Sequence, residues 1–367
     1  MSPADRGPAT VADCSGVGPG GITRVLTELV RHWPAGRPLR IVAAPATWET
    51  PTGATEAEVL SRQTGDRART ITSATATLRK ATGRAAPGTQ VLSLSPSAAI
   101  VGSRLPVTTV LHDLAFRLWP HGLSTAVRQY RRISYATAVR RSQRLLCVSA
   151  RTRHDLLGLY GVADDRTEVW HPGSDLAVVP GQLPEPLARV RERGGGYLLV
   201  AGHAAHKGVE LAVDALPELP GHTLAVLTGG QRVDLFTQAA ARSVAADRVL
   251  FLDRLTDAGY AAALADAAAF LMPSHFEGYG LPAAEALRLG TPTVVSPDPA
   301  LHEATDGRGV RMTSWTPQAL ASAVRTAVTS PRPPIGDGGR SWRTATEHLV
   351  TLLDAAPVER RPVPAGR

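Results

Sequence analysis

The chain has 367 residues, of which 43% are hydrophobic and 20% charged, as in an ordinary globular protein of about two domains. Its formal net charge is +8, but almost all basic residues are arginines, and the only lysines are Lys80 and Lys207. This bias is typical of GC-rich coding, so the net charge is not evidence for an anionic partner. We therefore expect no nucleic-acid partner. The sequence has neither an apolar run of about 18 residues nor a signal-peptide layout at its start. It therefore predicts a cytoplasmic protein without a transmembrane helix.

The first half of the chain alternates predicted strands and helices. A glycine-rich loop at 15–21 separates the first strand from apolar residues at helical spacing. Strands are predicted at 10–14, 40–44, 90–94, Val107–Leu111 and 145–148, and helices at 22–33, 56–61, 74–81 and 124–141. Cys14 and Cys147 lie in strand-like runs outside any C-x-x-C pair, which predicts buried thiols in a reducing compartment. The alternation indicates parallel βαβ units.

Residues 171–196 are rich in Pro and Gly and show little periodicity, which indicates a connection between domains. A second alternation follows, with strands predicted at 197–201, 223–228, Val249–Leu252, Ala269–Met272 and 293–296, and helices at Val209–Ala215, 258–267, 282–289 and 317–328. We therefore predict an N-terminal domain over 1–180, a C-terminal domain over 181–354 and a disordered tail over 355–367. Two doubly wound domains would bind a ligand in the cleft between them, at the carboxyl ends of the strands.

The most informative segment is residues 273–290, PSHFEGYGLPAAEALRLG. Glu277 and Glu285 are separated by seven residues, with glycines between them that let the backbone approach a ligand. Pro282 suits the first turn of a helix, which places Glu277 in the preceding loop and Glu285 one turn into the helix. The alternative is a glycine-rich turn followed by a solvated glutamate, but the agreement of so many positions favours a binding site.

This segment resembles the E-x7-E motif of glycosyltransferase family 4, whose members have the GT-B fold of two Rossmann-like, doubly wound domains. The usual form is E-G-F-G-L-P-x-x-E-A, and Tyr279 stands here in place of Phe. The segment at 290–304 also resembles the family pattern. The resemblance implies that Glu277 contacts the donor sugar and Glu285 the nucleotide ribose. It further implies that the backbone of the intervening residues meets sugar and phosphate, namely Gly278, Tyr279, Gly280 and Leu281.

The resemblance extends over most of the chain. Gly20 and Gly21, followed by Ile22, resemble the G-G-I-x-R opening of many members and are expected near the donor. Residues 107–120 resemble the His-Asp segment of mannosyltransferase-like members, which implies that His112 lies near the donor sugar or acceptor and that Asp113 contacts the acceptor. The alternative for His112 is a ring that satisfies a local carbonyl.

A second candidate site follows the predicted strand at 197–201, in the sequence AGHAAHKG. By resemblance, Lys207 faces the diphosphate, where a cation would stabilise the charge of the leaving nucleotide. A lone lysine is otherwise usually a solvated surface residue. Family members often carry Arg where this chain has His203 and His206, so His203 is also predicted to contact the nucleotide, and an Arg from elsewhere is the alternative.

The resemblance implies a retaining hexosyltransferase whose donor is a nucleoside-diphosphate sugar. The likeness to mannosyltransferase-like members favours a donor similar to GDP-mannose. The expected acceptor is a sugar, a lipid-linked molecule or a small molecule. Because no Asp-x-Asp motif is present, and Asp298 and Asp306 stand isolated, we expect no metal or other cofactor. Two alternatives remain open: a catalytically silent binding protein with the same fold, and a sugar phosphorylase or epimerase of similar architecture.

Arginines cluster between residues 128 and 144, at Arg128, Arg131, Arg132, Arg140, Arg141 and Arg144. One interpretation is a solvated helix face. The other is contact with an anionic acceptor or with a membrane, which would make the protein peripheral to the inner membrane face.

Overall fold

The computed structural model describes residues 9–18, 20–54, 56–121, 123–202, 204–229, 234–336 and 338–355. The chain forms two compact units: Met1–Gly173 with Arg340–Arg367, and Ser174–Gly339. The predicted boundary at 180/181 therefore lies a few residues after the observed division at Gly173. His203 and most of the predicted disordered tail, residues 356–367, lie outside the described residues.

The first unit is built on a parallel sheet with helices between its strands. Its strands are β1 (Thr10–Asp13), β2 (Leu39–Val42), β3 (Ala57–Val59), β4 (Gln90–Ser93), β5 (Val107–Leu111), β6 (Ser142–Cys147) and β7 (Thr167–Val169). Its helices are α1 (Gly21–Arg31), α2 (Arg67–Gly83), α3 (Ala115–Leu118), α4 (Thr125–Arg141) and α5 (Ala150–Tyr160). Across the described residues the strand order is β3-β2-β1-β4-β5-β6-β7. The predicted parallel βαβ units are confirmed, and Cys14 and Cys147 are both buried free thiols.

The predicted helix at 56–61 is wrong, because this segment is strand β3. Leu39 pairs with Ala57 and Ile41 with Val59, and the amide of Leu60 donates to the Ile41 carbonyl at 2.8 Å. Pairing with β2, which lies more than a dozen residues away, satisfies backbone groups that an isolated short helix would leave to water. The local sequence carries no sign of that pairing.

Helix α4 begins and ends close to its predicted bounds. Ser124 caps it by accepting a hydrogen bond from the Val127 amide at 3.3 Å. The helix stops at Arg141, so Arg144 lies in strand β6 and not on the predicted basic helix. The arginine cluster is therefore divided between two elements.

The second unit repeats the same architecture. Its strands are β8 (Gly196–Ala201), β9 (His222–Leu227), β10 (Val249–Leu252), β11 (Ala269–Met272), β12 (Thr293–Val295) and β13 (Val310–Arg311). Its helices are α6 (Glu185–Glu192), α7 (Val209–Ala215), α8 (Asp234–Arg242), α9 (Asp257–Asp266), α10 (Leu281–Arg288), α11 (Pro299–Ala304) and α12 (Pro317–Thr329). The strands, as far as the structure describes this unit, run parallel in the order β10-β9-β8-β11-β12-β13.

The last helix, α13 (Trp342–Asp354), belongs to the first unit, which corrects the predicted domain over 181–354. The indole N–H of the fully buried Trp170 donates to the Ala345 carbonyl at 2.8 Å. Arg37 forms a 2.8 Å ion pair with Asp354 at the other end of the helix. The apolar face of α13 is thus buried against residues from the first half of the chain, which a reading in chain order misses. Among the described helices, none is long and apolar enough to cross a membrane.

Candidate functional site

Three loops of the second unit come together where its parallel strands end, an edge that we call the carboxyl edge. Strands β8, β11 and β12 are neighbours in the sheet. The loops that follow them contain Lys207, Glu277 and Asp298, respectively. The amide of His275 donates to the His206 carbonyl at 2.8 Å and ties the first two loops together. Side chains 70 residues apart in sequence thereby become neighbours.

Lys207 and Glu277 form a buried ion pair at this edge. The Lys207 Nζ atom donates to Glu277 Oε1 at 2.7 Å, and the two residues are only 7% and 8% exposed. The pairing compensates two charges that would each be strongly destabilising alone in the interior. The motifs had suggested both residues separately but not their contact.

The environment of Glu277 keeps its carboxylate ionised. Burial by itself would raise its pKa, but the nearby charges of Lys207 and His206 and the hydrogen bond from Lys207 outweigh burial. The net effect is a pKa below the ordinary carboxyl value. At neutral pH the ion pair therefore consists of the Glu277 carboxylate beside the Lys207 ammonium group.

Asp298, which the sequence left isolated, holds the Glu277 loop in place. Its Oδ2 accepts the Glu277 backbone N–H at 3.1 Å, while its Oδ1 caps α11 by accepting the Ala300 N–H at 2.9 Å. Asp298 is only 2% exposed. The Asp-Pro dipeptide at 298–299 is the signal that could have identified this residue as a helix cap.

Glu285 lies on α10, as predicted, but it is buried and already hydrogen-bonded. It is 2% exposed, and the phenol O–H of Tyr260, on α9, donates to its Oε2 at 2.7 Å. The solvated glutamate considered from the sequence is therefore excluded. Nothing in the sequence near either residue indicated this contact between helices.

The backbone at the start of α10 requires glycine. Gly280 caps the helix with φ +114°, and a Cβ there would lie 2.5 Å from Leu301 Cδ2. Pro282 occupies the first turn, as predicted. Gly278 is half-buried, Tyr279 is buried, and Leu281 is the first residue of the helix. The predicted backbone-binding residues therefore all lie at or just before the first turn of α10.

Apart from His203, the remaining predicted site residues lie in the first unit, also at the carboxyl edge of its sheet. Gly20, with φ +103°, caps α1, and Gly21 is its first residue. His112 follows β5, and its Nε2 is 2.8 Å from the Leu94 carbonyl oxygen. Because a carbonyl only accepts, Nε2 carries a proton. Burial lowers the His112 pKa despite the opposing effects of that hydrogen bond and of Asp113.

Asp113 is held by its surroundings in the first unit. Its Oδ1 accepts the Ala115 N–H at 2.9 Å, and Arg131 lies 3.9 Å from the same oxygen. Two strands away in the same sheet, at the end of β1, the fully buried Asp13 accepts hydrogen bonds from Ser15 Oγ at 2.6 Å and Ser93 Oγ at 2.9 Å. Burial raises the Asp13 pKa, and these hydrogen bonds only partly oppose the rise. Asp13 was not a predicted site residue.

Two family models match the chain. Residues 19–178 match Glycosyltransferase Family 4, and residues 195–330 match Glycosyl transferases group 1. A glycogen synthase of Mycobacterium tuberculosis (strain ATCC 25618 / H37Rv) is 32% identical over 223 residues, covering 59% of this chain and 52% of the relative. A D-inositol 3-phosphate glycosyltransferase of Xylanimonas cellulosilytica is 31% identical over 264 residues, covering 64% and 62%. The chain thus spans about half the length of the first of these curated relatives.

Solved structures share the architecture. Anabaena Alr3699/HepE in complex with UDP and glucose has a TM-score of 0.72 at 17% identity, covering 95% of this chain and 99% of that one. WaaG, a glycosyltransferase involved in lipopolysaccharide biosynthesis, has a TM-score of 0.64 at 17% identity, covering 95% of each chain. These similarities concern the fold, and they confirm the predicted pair of Rossmann-like domains.

Proposed function

We propose, from the premise that this chain belongs to glycosyltransferase family 4 and has the GT-B fold, that it transfers a sugar from a nucleoside-diphosphate sugar to an acceptor hydroxyl. The observation that carries the proposal is the buried Lys207–Glu277 ion pair at the carboxyl edge of the second unit. A buried pair of this kind is expensive to desolvate. Its position at the strand ends, where doubly wound sheets bind ligands, supports a role in binding.

The chemistry of the edge suits a nucleoside diphosphate. Lys207 has three ammonium protons, of which Glu277 Oε1 accepts one, and the ammonium can approach a phosphate with the others. The N-terminus of α10, which follows Gly278 and Gly280, carries the positive end of the helix dipole. It adds a second favourable contribution to the binding of an anion. In this proposal Glu285 accepts hydrogen bonds from the ribose hydroxyls, and Glu277 accepts them from the hydroxyls of the donor sugar.

We further propose that transfer proceeds with retention and without a metal ion. The acceptor oxygen bonds to the anomeric carbon on the face from which the diphosphate departs. The bond from carbon to phosphate oxygen breaks, and the acceptor proton passes to the departing phosphate. Catalysis then rests on positioning and on stabilising the leaving group rather than on an enzyme nucleophile.

The acceptor is proposed to approach the carboxyl edge of the first unit, where His112, Asp113 and Arg131 lie. Arg131 would favour an acceptor that carries negative charge, and the relative from Xylanimonas cellulosilytica is named for a phosphorylated inositol.

Membrane contact through the exposed Arg132, Arg140 and Arg141 stays a prediction. Sedimentation with vesicles of anionic and of neutral lipid would test that contact.

Calorimetry of UDP, GDP, dTDP and ADP tests the donor site. UDP was bound in the Anabaena structure, and GDP is the nucleotide predicted from the sequence. We expect one nucleotide to bind clearly better than the others, and Lys207→Ala and Glu285→Ala each to weaken it at least tenfold. The matched controls are Lys80→Ala and Glu192→Ala, which change exposed residues of the same types. Normal binding by both site variants would contradict the proposed site.

Turnover with the matching sugar donors separates the alternatives. Transfer or slow hydrolysis of the donor supports a glycosyltransferase. Binding without any turnover across a broad set of acceptors would favour the silent binding protein. Release of a sugar phosphate that depends on inorganic phosphate would instead favour a phosphorylase.

A further inference from the structure

We infer that Tyr260 is a positioning residue that orients Glu285 and so makes nucleotide affinity depend on the ribose hydroxyls. The inference rests on the proposed function, because it assumes that Glu285 contacts the ribose. Its starting point is the 2.7 Å hydrogen bond from the Tyr260 phenol to Glu285 Oε2, which joins α9 to α10. Neither the E-x7-E motif nor its spacing includes Tyr260.

Contacts of the Tyr260 backbone and of its ring hold the phenol in place. The Tyr260 backbone N–H donates to the Thr256 carbonyl at 2.8 Å, and the Thr256 side chain caps α9 through the Gly259 amide at 3.1 Å. The ring packs against the hydrophobic cluster that contains Leu264, Ala283 and Ala286. An aromatic side chain has just two torsions, so this packing leaves the O–H little freedom to point elsewhere.

A fixed donor on one carboxylate oxygen sets the orientation of the whole group. Glu285 is 2% exposed, so water contributes little to holding its carboxylate. Two adjacent ribose hydroxyls require a carboxylate plane that matches their geometry, and a misplaced acceptor loses much of its hydrogen-bond energy. Tyr260→Phe would keep the ring packing and remove the hydroxyl that donates to Glu285.

The experiment compares a ribonucleotide with its analogue that lacks the ribose hydroxyls. Calorimetry measures the Kd of UDP and of 2′,3′-dideoxy-UDP, or of the GDP pair if GDP binds better, for wild type and Tyr260→Phe. We expect wild type to prefer the ribonucleotide at least tenfold. We expect Tyr260→Phe to weaken ribonucleotide binding about five- to tenfold and to leave the dideoxy analogue within about twofold.

Tyr197→Phe is the matched control. Its phenol donates to the Ala263 carbonyl at 2.8 Å in the same unit, rather than to Glu285. This variant should retain the full preference for the ribonucleotide, although it also loses a buried tyrosine hydroxyl. Adding Tyr260→Phe to Glu285→Gln should have little further effect, because the group to be oriented is already changed.

The outcomes distinguish the inference from the proposed function. If wild type binds both nucleotides equally, or neither, the ribose role of Glu285 fails, and the role of Tyr260 fails with it. If wild type discriminates and Tyr260→Phe discriminates equally well, the proposed function stands and the inference is overturned. Equal weakening of both nucleotides by Tyr260→Phe would also overturn it, because a general packing defect would then explain the loss. A melting curve for each variant checks that it is folded.

Discussion

The carboxyl edges of the two sheets both bury a carboxylate, yet they compensate it in different ways. In the second unit, Glu277 is paired with the ammonium of Lys207, and its pKa is lowered. In the first unit, Asp13 is surrounded by serine hydroxyls, and burial raises its pKa. A buried ion pair suits an edge that binds a charged ligand, whereas a hydroxyl network holds a loop without adding charge. This difference supports the proposal that the donor binds to the second unit.

The largest expected effect is the loss of one partner of the ion pair. Glu277→Gln or Lys207→Met should each destabilise the protein by about 3–5 kcal/mol, because the remaining charge is buried without compensation. The double variant should recover much of that loss. Urea unfolding of the two single variants and the double variant measures the coupling. Additive losses would contradict a direct pair.

The pH dependence of the Glu277→Gln effect should follow the lowered pKa. The contribution of Glu277 to stability is complete above its ordinary pKa of 4.5 and is lost as pH falls through the lower folded-state value. The difference between wild type and Glu277→Gln should therefore shrink in acid. A difference that grows as the pH falls would contradict the assignment.

At each of the two carboxyl edges a helix is capped by a glycine at positive φ, and these two glycines offer a second comparison. Gly280 has φ +114° and its Cβ position meets Leu301, whereas Gly20 has φ +103° with nothing within 4 Å. Gly280→Ala should destabilise by roughly 2–5 kcal/mol, from backbone strain and overpacking together. Gly20→Ala should cost about 1–3 kcal/mol from strain alone. Equal losses in thermal unfolding would show that packing around Gly280 contributes nothing.

Much of this architecture was predictable because its signals are local. Most of the strands, the Gly-rich loop and the helix that carries Glu285 follow from periodicity and from Pro282 at a helix start, whereas the short strands β7 and β13 were not predicted. Strand β3 was missed because its stability comes from pairing with β2. Helix α13 was not predicted, and its residues were assigned to the C-terminal domain, because its partners, such as Trp170, lie far back in the chain.

The candidate site shows the same contrast between local signals and contacts of residues that are distant in sequence. The spacing of Glu277 and Glu285 and the lysine after β8 identified the charged groups. Their partners could not be identified, because Lys207 and Glu277 are 70 residues apart, and Tyr260 and Glu285 are 25 apart on different helices. Asp298 was the one missed residue with a usable local signal, since its proline neighbour marks a helix start.

The smallest expected effect lies in the first unit. Asp13→Asn should change stability by no more than about 1 kcal/mol, because an amide can replace the carboxylate among hydroxyls and removes a charge that burial disfavours. Since the Asp13 pKa is raised, its contribution is complete below the ordinary value of 3.8 and is lost as pH rises through the folded-state value. The stability of Asp13→Asn relative to wild type should therefore increase with pH, opposite to the trend for Glu277 in acid. Unfolding curves between pH 4 and 8 would measure it, and a large loss at pH 8 would contradict the comparison.

The most direct test of the proposed reaction follows the anomeric configuration of the sugar that leaves the donor. Proton NMR of UDP-glucose or GDP-mannose, both α-linked, would record the first product formed with the purified protein, before mutarotation. Retention predicts that the α-anomer, or an α-linked product when an acceptor is present, appears first. The rate should fall at least tenfold in Lys207→Ala and remain unchanged in Lys80→Ala. Initial formation of the β-anomer, or an undiminished rate in Lys207→Ala, would contradict the proposed mechanism.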